Sequence, residues 1–173
     1  VQQIDKEFSD WLCVPRSKRT TSIKPSGTVS LLNGSTPGIH YPEAEYYIRR
    51  IRFSIGNAIL KAIEEAGYHI EKDAYSPNTM VASFPVHEPF FKKGKNEATM
   101  WEQLEIAAAY QHYWADNSVS VTVTFKGDEA KDIKTALEMY ESRLKAVSFL
   151  RYQETGYEQA PYEPITKEQY EEM

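Results

Sequence analysis

Hydrophobic residues recur along this chain with two different spacings, and each spacing predicts one kind of element. Recurrence every three or four residues indicates helices, whereas alternation of hydrophobic and polar residues indicates strands. The helical spacing occupies residues 3–12, 54–66 and 98–115. It recurs in a segment after Asp128, and we expect Asp128 to cap that helix. Strand patterns occupy residues 20–23, 46–52, 79–84, 118–125 and 146–150, with Pro85 expected to end the third strand. A Thr-x-x-Gln pattern at 166–169 predicts the capping box of a last helix.

The clearest strand pattern is 118–125, where apolar residues alternate with small hydroxyl residues. We expect its apolar face to pack under helices and its hydroxyl face to line a pocket or a barrel interior. Strands that alternate with helices indicate an α/β fold with largely parallel strands. Because no linker or internal repeat divides the sequence, we expect residues 1–173 to belong to one domain, with an extended tail from about residue 157.

The stretch Lys24–Ser30 joins a predicted strand to a predicted short helix over 29–32. Pro25 ends the strand because it has no N–H to donate, and a glycine at position 27 lets a ligand approach the main chain. Free N–H groups at a helix N-terminus attract anions, and nearby hydroxyls add neutral donors. The candidate phosphate-binding residues are therefore Ser26, Gly27, Thr28, Val29 and Ser30.

The same stretch could also be an ordinary strand-to-helix turn, with Thr28 or Ser26 as the N-cap. It contains neither a Walker loop nor a dinucleotide-binding fingerprint. The spacing of the residues alone leaves both interpretations open.

The three arginines of the strand 46–52 could bind phosphate, because guanidinium groups pair well with phosphate oxygens. We favour ordinary ion pairs, which are common at protein surfaces. The candidate acidic partners are Glu43, Glu45 and Glu64.

The remaining polar candidates have structural interpretations. His69 and His87 have no partner at metal-ligand spacing, so we expect polar surface residues and no metal site. The lysine run at 92–95 is expected to be a solvated loop tip. The single cysteine, Cys13, excludes an internal disulfide and is expected to be a buried structural thiol, so no catalytic residue is assigned.

Composition narrows the classes of function. The chain carries 20 Lys and Arg against 25 Asp and Glu, and its net charge of −5 gives no general attraction to nucleic acid or to acidic membranes. No apolar run approaches the roughly 20 residues that span a bilayer, and no signal peptide is visible. Together with the single cysteine, these features predict a cytoplasmic protein. Both ends fall inside helical patterns, so we expect a fragment of a longer chain.

Three stretches together resemble one family, the adenosylcobalamin-dependent (class II) ribonucleotide reductases. The first is the loop sequence at 20–32 with its continuation at 36–40, the second is 46–52, and the third is 114–122 with 156–163 further along. They occur in the family's order, and the similarity runs through nearly the whole chain. The second stretch and the tail are most similar to the monomeric ribonucleoside-triphosphate reductase branch.

The resemblance implies a ten-stranded α/β barrel, of which this chain would be the C-terminal portion. It implies that the loop at 25–30 holds the phosphates of the substrate nucleotide through backbone N–H and hydroxyl groups, and that 118–125 is a late barrel strand. The parent enzyme, an oxidoreductase, would convert ribonucleotides to 2′-deoxyribonucleotides by thiyl radical chemistry that starts from adenosylcobalamin. Its implied partners are the ribonucleotide substrate and a thioredoxin-type reductant.

The cysteines that this family uses for radical formation and reduction have no counterpart here, and Cys13 matches none of them. Most of the implied cobalamin-contacting surface and the allosteric region are also absent. We therefore expect the chain alone to lack activity and bound cofactor, and its exposed sheet edges to allow self-association. The alternative is a stand-alone protein that kept the loop but lost catalysis, and that acts as a nucleotide-binding or regulatory module.

Overall fold

The computed structural model describes residues 1–26, 30, 34–153 and 157–173. The chain divides into two compact units. The first unit comprises Val1–Leu32, Thr36–His40 and Ala98–Tyr152, and the second comprises Asn33–Ser35, Tyr41–Glu97 and Gln153–Met173.

The elements of the described residues mix helices and strands. In chain order they are α1 (Gln2–Trp11), β1 (Tyr46–Ser54), α2 (Ile59–Glu65), β2 (His69–Lys72), β3 (Thr79–His87), α3 (Met100–Tyr113), β4 (Thr122–Phe125), a 3₁₀ turn (Ala130–Asp132), α4 (Ile133–Tyr140), β5 (Ser148–Arg151), β6 (Tyr162–Pro164) and α5 (Lys167–Glu172). Among these described helices, none has the length and apolar character needed to cross a bilayer.

The core of the first unit lies where α3 and α4 pack on the parallel pair β4–β5. Thr99 begins α3 with a capping box, in which its hydroxyl accepts the Glu102 N–H and the Glu102 carboxylate accepts the Thr99 N–H. The expected apolar face of 118–125 is confirmed, although the strand itself spans only Thr122–Phe125. The buried cluster comprises Met100, Leu104, Ala107, Ala108, Val121, Val123, Ala136 and Tyr140.

A buried amide on α3 satisfies the backbone of β4. Gln103 is 9% exposed, and its side-chain oxygen accepts the Thr124 N–H at 2.8 Å while its amide donates to the Thr124 carbonyl at 2.7 Å. The side chain thus pairs with the strand as a neighbouring strand would, which removes the cost of leaving these buried groups unpaired.

The second unit is built on a four-stranded antiparallel sheet in the order β2–β3–β1–β6. β1 and β3 pair over nine residues, from Tyr46 opposite His87 to Ser54 opposite Thr79. β6 pairs with the other edge of β1 over three residues. Tyr170 of α5 packs against Tyr46, with ring centroids 5.3 Å apart, so the last helix is docked on this sheet.

A buried phenol–carboxylate pair lies at the start of β1. Tyr47 is 1% exposed, and its hydroxyl donates to Glu88 at 2.8 Å. Burial, together with the adjacent carboxylate, raises the pKa of Tyr47 well above its usual value. The pair places a polar bond inside the sheet without leaving the Glu88 carboxylate unsatisfied.

The prediction of largely parallel strands is wrong for the described residues. The β4–β5 pair is parallel, but every pair of the four-stranded sheet is antiparallel. β2 and β3 are joined by the short turn 73–78, and a turn of that length forces its two strands to run in opposite directions. The Asp73 carboxylate closes this turn by accepting the N–H groups of Tyr75 at 2.8 Å and Ser76 at 3.0 Å.

Three predicted boundaries are also wrong. The helix expected over 54–66 begins only at Ile59, because β1 continues to Ser54 in register with β3. β3 continues through Pro85 to His87, because β2 begins at His69, opposite Ser83. No residue of β2 therefore lies opposite Pro85, which has no N–H to donate. Asp128 is exposed and does not cap α4, which instead follows the 3₁₀ turn.

The predicted helix over 3–12 is confirmed, but its apolar face is not buried in the described structure. Phe8 is 53% exposed and Trp11 is 81% exposed, and their rings meet edge to face at 6.0 Å. Cys13 follows this helix with a φ of 54° and is exposed, so the expectation of a buried thiol is wrong. A thiol next to an uncovered helix face has no core in which to be buried.

The lysine run at 92–95 is not purely solvated, since Lys95 is half-buried and its ammonium lies 3.0 Å from Glu43. His69 is exposed, as predicted, while His87 is half-buried and stacks on Tyr46 with centroids 4.6 Å apart. The predicted capping box at 166–169 is confirmed, because Thr166 and Gln169 exchange both bonds, at 2.9 and 3.2 Å.

Candidate functional site

Two of the five predicted site residues belong to the described structure. Ser26 and Ser30 are both half-buried, and the Ser26 hydroxyl oxygen accepts the Ser30 N–H at 3.3 Å. The Ser30 hydroxyl donates to the Ser26 carbonyl. Gly27, Thr28 and Val29 lie outside the described residues, as does the predicted helix 29–32 apart from Ser30.

Among the described residues, Ser26 accepts through its hydroxyl oxygen and through its carbonyl. A hydroxyl group can accept through its oxygen and at the same time donate its own proton. The accepted N–H lies four residues after Ser26, one position beyond those that an N-cap side chain binds, so this contact does not by itself identify Ser26 as the N-cap. Accepting it does not prevent the Ser26 O–H from donating to an anion.

A carboxylate anchors the segment that leads into the loop. The Asp116 side chain accepts the N–H of Thr20 at 2.9 and 3.1 Å, the N–H of Thr21 at 3.0 Å and the hydroxyl of Thr20 at 3.2 Å. These backbone donors, first that of Thr20 and then that of Thr21, lower the pKa of Asp116 to about 2. The carboxylate is therefore charged at neutral pH and binds two successive backbone N–H groups.

The anchored segment then runs beside residues 117–120, which precede β4. The Asn117 N–H donates to the Thr21 carbonyl at 3.0 Å, and the Ser120 N–H donates to the Ile23 carbonyl at 2.9 Å. Ile23 and Val119 form a single parallel bridge. The predicted strand 20–23 is thus an extended segment with one ladder contact, and it directs the chain toward Pro25.

The turn Thr36–His40 packs against the start of the loop. Gly38 has a φ of +60°, and a Cβ at this position would lie 3.4 Å from both the Cα and the N of Pro25. Glycine suits this position because it adopts the left-handed backbone and leaves room for the approach.

The ring of His40 fixes the end of this turn to β4. Its Nδ1 lies 2.7 Å from the Pro37 carbonyl oxygen, and its Nε2 accepts the Thr122 N–H at 3.0 Å. Only the neutral ring with its proton on Nδ1 satisfies both contacts. The imidazole therefore connects the turn to the strand that carries the hydroxyl face.

Two further side chains hold the loop between α3 and β4 in place. The Gln111 amide donates to the carbonyls of Ala115 at 2.8 Å and Asn117 at 2.9 Å, and its oxygen accepts the Val119 N–H at 3.1 Å. The Lys145 ammonium donates to the Asp116 carbonyl. Asp116 is thus fixed through its backbone as well as by the segment that it binds.

Residue patterns had not singled out Asp116, His40 or Gln111 for any role. Asp116 and His40 lie within the stretches that carry the family resemblance, and that was the available signal. Their bonds join residues more than 80 positions apart, which local spacing does not reveal.

Comparison with known proteins gives one consistent result over the whole chain. No protein-family model matches it. An adenosylcobalamin-dependent ribonucleoside-triphosphate reductase of Euglena gracilis is 46% identical over 99% of this chain, and a protein of Dictyostelium discoideum, named as a probable enzyme of the same kind, is 45% identical over 100% of it. A crystal structure of a B12-dependent (class II) ribonucleotide reductase matches 99% of the chain with a TM-score of 0.82 and 36% identity.

The chain is a homologue of a segment of the class II ribonucleotide reductases. The resemblance predicted from three short stretches is confirmed. The chain spans about a quarter of the length of these reductases, 24% of the Euglena protein and 24% of the crystallised chain. The mixed helix and sheet arrangement described above matches that of the crystallised reductase.

The three arginines at 46–52 all have partners in the described structure. Arg50 lies 2.5 Å from Glu163, and Arg52 lies 2.5 Å from Asp73. Arg49 donates to the Pro161 carbonyl at 3.0 Å and lies over the Tyr162 ring at 4.4 Å. The preference for ion pairs is confirmed for two of the three arginines, with acids other than those expected.

The described part of the chain contains no group of three or more His, Cys, Asp or Glu side chains arranged to hold a metal ion. Two clefts of the first unit, of about 450 and 520 Å³, are lined mainly by residues of α3, α4 and the segment that follows α4. No step is assigned to the cofactor on these residues.

Proposed function

We propose that this chain is the substrate-phosphate-binding part of an adenosylcobalamin-dependent ribonucleotide reductase. The parent enzyme would replace the ribose 2′-hydroxyl with hydrogen by thiyl radical chemistry, with the radical cysteine, the cofactor and a thioredoxin-type reductant engaged by other parts of the chain. The chain alone would have no activity. The observation that carries the proposal is the 38–46% identity to reductases along essentially the entire chain.

The role assigned to this segment is to position the substrate. Ser26, Gly27, Thr28, Val29 and Ser30 would donate backbone N–H and hydroxyl protons to the nucleotide phosphates. Holding the phosphates fixes the ribose relative to the reacting groups, which lowers the barrier through orientation. The Asp116 anchor and the Thr36–His40 turn support this role, because both constrain the chain that enters the loop.

The finer features of the proposal follow from the same family. The segment would form the C-terminal portion of a partial ten-stranded α/β barrel and a single domain over residues 1–173. Its parent would work in the cytoplasm, and sheet edges left exposed in the isolated segment would allow copies of it to pair.

The test is Gly27→Val in the full-length reductase. Because each hydrogen bond to a charged group contributes about 1.5–3 kcal/mol, loss of one or more of them should raise the substrate KM by about tenfold or more. Steady-state kinetics with ribonucleotide substrates measures this change, and thermal unfolding should be nearly unaltered.

Gly127→Val is the matched control in the same unit. A Cβ at position 127 meets the Arg151 guanidinium at 3.5 Å, the end of a flexible side chain, so folding should tolerate it. An unchanged KM in Gly27→Val, or an equal rise in Gly127→Val, would show that the loop does not bind the substrate phosphates.

A further inference from the structure

We propose that the first unit holds a further binding site, for a small aromatic compound that carries a phosphate group. The site is the cleft between the C-terminal half of α3 and residues 142–145, which follow α4, and we refer to it as the α3 cleft. It is separate from the substrate-phosphate loop, because the described residues that line it all lie in 105–115 and 142–145. Its volume of about 520 Å³ is within the range of about 300–1,000 Å³ that is usual for small-molecule sites.

The bottom of the α3 cleft is formed by small apolar side chains. Ala108 and Ala115 are 1% and 5% exposed, and Ala109 is half-buried. Tyr113 forms part of the wall. Its side chain is largely exposed, and its ring meets that of His112 edge to face, with centroids 4.6 Å apart. A flat ring can lie on the alanines beside Tyr113, where it is removed from water and contacts another ring.

The Arg143 guanidinium in the lining is already oriented. Its Nη1 and Nη2 donate to the Glu105 carboxylate at 2.8 and 2.5 Å, and its Cζ lies 5.0 Å from the centroid of the Tyr140 ring. A guanidinium has five N–H donors, and the bonds to Glu105 occupy two of them. Because the group is held in one orientation, an anion that accepts from the other donors costs little additional side-chain entropy.

Lys145 gives the α3 cleft an excess of positive charge. Its ammonium donates to the backbone carbonyl of Asp116, a neutral acceptor, and no carboxylate of the described residues pairs with it. An ammonium has three N–H donors, so it can bind an anion while it keeps this bond. Since Glu105 balances Arg143, the lining carries one cation more than it has carboxylates, although the whole chain has a net charge of −5. The cleft therefore attracts anions, unlike the chain as a whole.

These features determine the two parts of the ligand. A phosphate group accepts from both the guanidinium and the ammonium, and the Ser142 hydroxyl, which also lines the cleft, adds a neutral donor. A carboxylate offers fewer oxygens to the same donors. The alanines and Tyr113 suit a ring better than a second charged group, since burial of an unpaired charge is costly. The ligand class is therefore an aromatic ring joined to phosphate, up to the size of a mononucleotide.

The experiment measures the binding of adenosine monophosphate, adenosine and inorganic phosphate to the full-length reductase by isothermal titration calorimetry. Adenosylcobalamin and reductant are left out so that no reaction occurs. Because the ring and the phosphate contact different parts of the cleft, the monophosphate should bind about tenfold more tightly than adenosine or inorganic phosphate. Lys145→Met keeps the apolar stem and removes the charge, so it should weaken binding of the monophosphate by about tenfold and leave that of adenosine unchanged.

Two further variants locate the effect. Ala109→Leu narrows the α3 cleft without a change of charge, and it should weaken the binding of adenosine and of its monophosphate alike. Lys134→Met is the matched control for Lys145→Met. Lys134 lies on α4 in the same unit, its side chain is 88% exposed, and it is outside the lining of the cleft, so this variant should bind all three compounds as the wild type does.

Gly27→Val separates the α3 cleft from the substrate-phosphate loop. If Lys145→Met and Ala109→Leu weaken binding of the monophosphate and Gly27→Val does not, the cleft is a site of its own, whatever Gly27→Val does to the substrate KM. If Gly27→Val removes the binding and Ala109→Leu does not, the monophosphate occupies the loop and the inference is wrong. Equal affinities of the wild type and Lys145→Met would also overturn it. Thermal unfolding shows whether each variant folds, and Lys145→Met, at an exposed side chain, decides if Ala109→Leu does not fold.

Discussion

Two segments of this chain that lack regular structure are held by charged side chains of opposite sign, one in each unit. In the first unit, the Asp116 carboxylate accepts the backbone N–H groups that lead into the loop. In the second unit, three arginines of β1 donate to successive carbonyls of the tail. The pairs are Arg52 with Gln159 at 3.1 Å, Arg50 with Ala160 at 3.1 Å and Arg49 with Pro161 at 3.0 Å.

The difference follows from which backbone groups each segment presents to the charged side chain. The loop segment presents N–H groups, which an anion satisfies, whereas the tail presents carbonyl oxygens, which only a donor can satisfy. Of these carbonyls, that of Pro161 also accepts the backbone N–H of Arg50 at 3.0 Å. Gln159 strengthens the second case, since it has a φ of 56° and its side chain bonds the Ala74 N–H and the Lys72 carbonyl, both at 2.8 Å. Charged side chains on neighbouring elements thus place both segments.

Removal of the Asp116 carboxylate should have the largest effect, and we expect it on the substrate KM. Asp116→Ala in the full-length reductase leaves the N–H groups of Thr20 and Thr21 without their acceptor, so the substrate KM should rise by about tenfold or more. Asp116→Asn keeps one acceptor oxygen and should raise it less. Asp128→Asn, at an exposed carboxylate of the same unit, is the control for loss of charge alone.

The same carboxylate predicts a pH dependence. Its pKa falls from 3.8 to about 2 in the folded chain, so the stabilisation is complete above pH 3.8 and is lost as the pH falls toward 2. Between pH 3.8 and 2, the wild type should therefore lose free energy of unfolding through protonation of Asp116. Asp116→Asn, which has no carboxylate at this position, should lack this loss. If Asp116→Ala has the same substrate KM as the wild type, Asp116 does not hold the loop segment in a way that substrate binding requires.

Removal of the Arg50 guanidinium should have a smaller effect, limited to how firmly the tail is held. Arg50→Met keeps the apolar stem of a side chain that is 13% exposed, but it loses the bonds to the Ala160 carbonyl and to Glu163. The lost hydrogen bond corresponds to about fivefold in a local opening equilibrium, and the lost ion pair adds up to about twofold. Chymotrypsin should therefore cleave after Tyr157 about five- to tenfold faster. Tyr157 is 59% exposed and can be followed by peptide mapping.

Lys61→Met is the matched control for this measurement. Lys61 lies in the same unit and forms an ion pair with Glu65, but its side chain is 83% exposed and the two atoms are 3.7 Å apart. Its loss should leave the cleavage rate unchanged. Equal acceleration in both variants would mean that the arginine does not hold the tail specifically.

The contrast between the two units also shows which features a sequence can predict. The capping box at 166–169 and the apolar face of 118–125 depend on residues within one element, and both were predicted. Asp116 binds residues that lie 95 and 96 positions away in the sequence, and Gln103 binds the backbone of Thr124, which lies 21 positions away. The spacing of hydrophobic residues within one element therefore cannot predict these contacts. The family resemblance identified the stretches that contain these anchors, but not their bonds.

The errors have the same origin. Pro85 is predicted to end a strand and Ser54 to begin a helix, yet the pairing of β1 with β3 extends both strands past these boundaries. Cys13 was expected to be buried because free cysteines usually are, but that preference acts only where a core is present. Tertiary context decided each of these positions.

The smallest expected effect tests whether the tail is held by charge pairing or by its carbonyls. Glu163→Gln removes the charge that faces Arg50 but leaves Arg50 bonded to the Ala160 carbonyl. The Glu163 side chain is 50% exposed, and an ion pair so open to solvent contributes little, about 0.2–1 kcal/mol. Chymotrypsin cleavage after Tyr157 should therefore accelerate by about twofold, less than in Arg50→Met. If Glu163→Gln released the tail as fully as Arg50→Met, the ion pair would be the main contact, and the tail would no longer be the counterpart of the loop segment that Asp116 holds by its backbone.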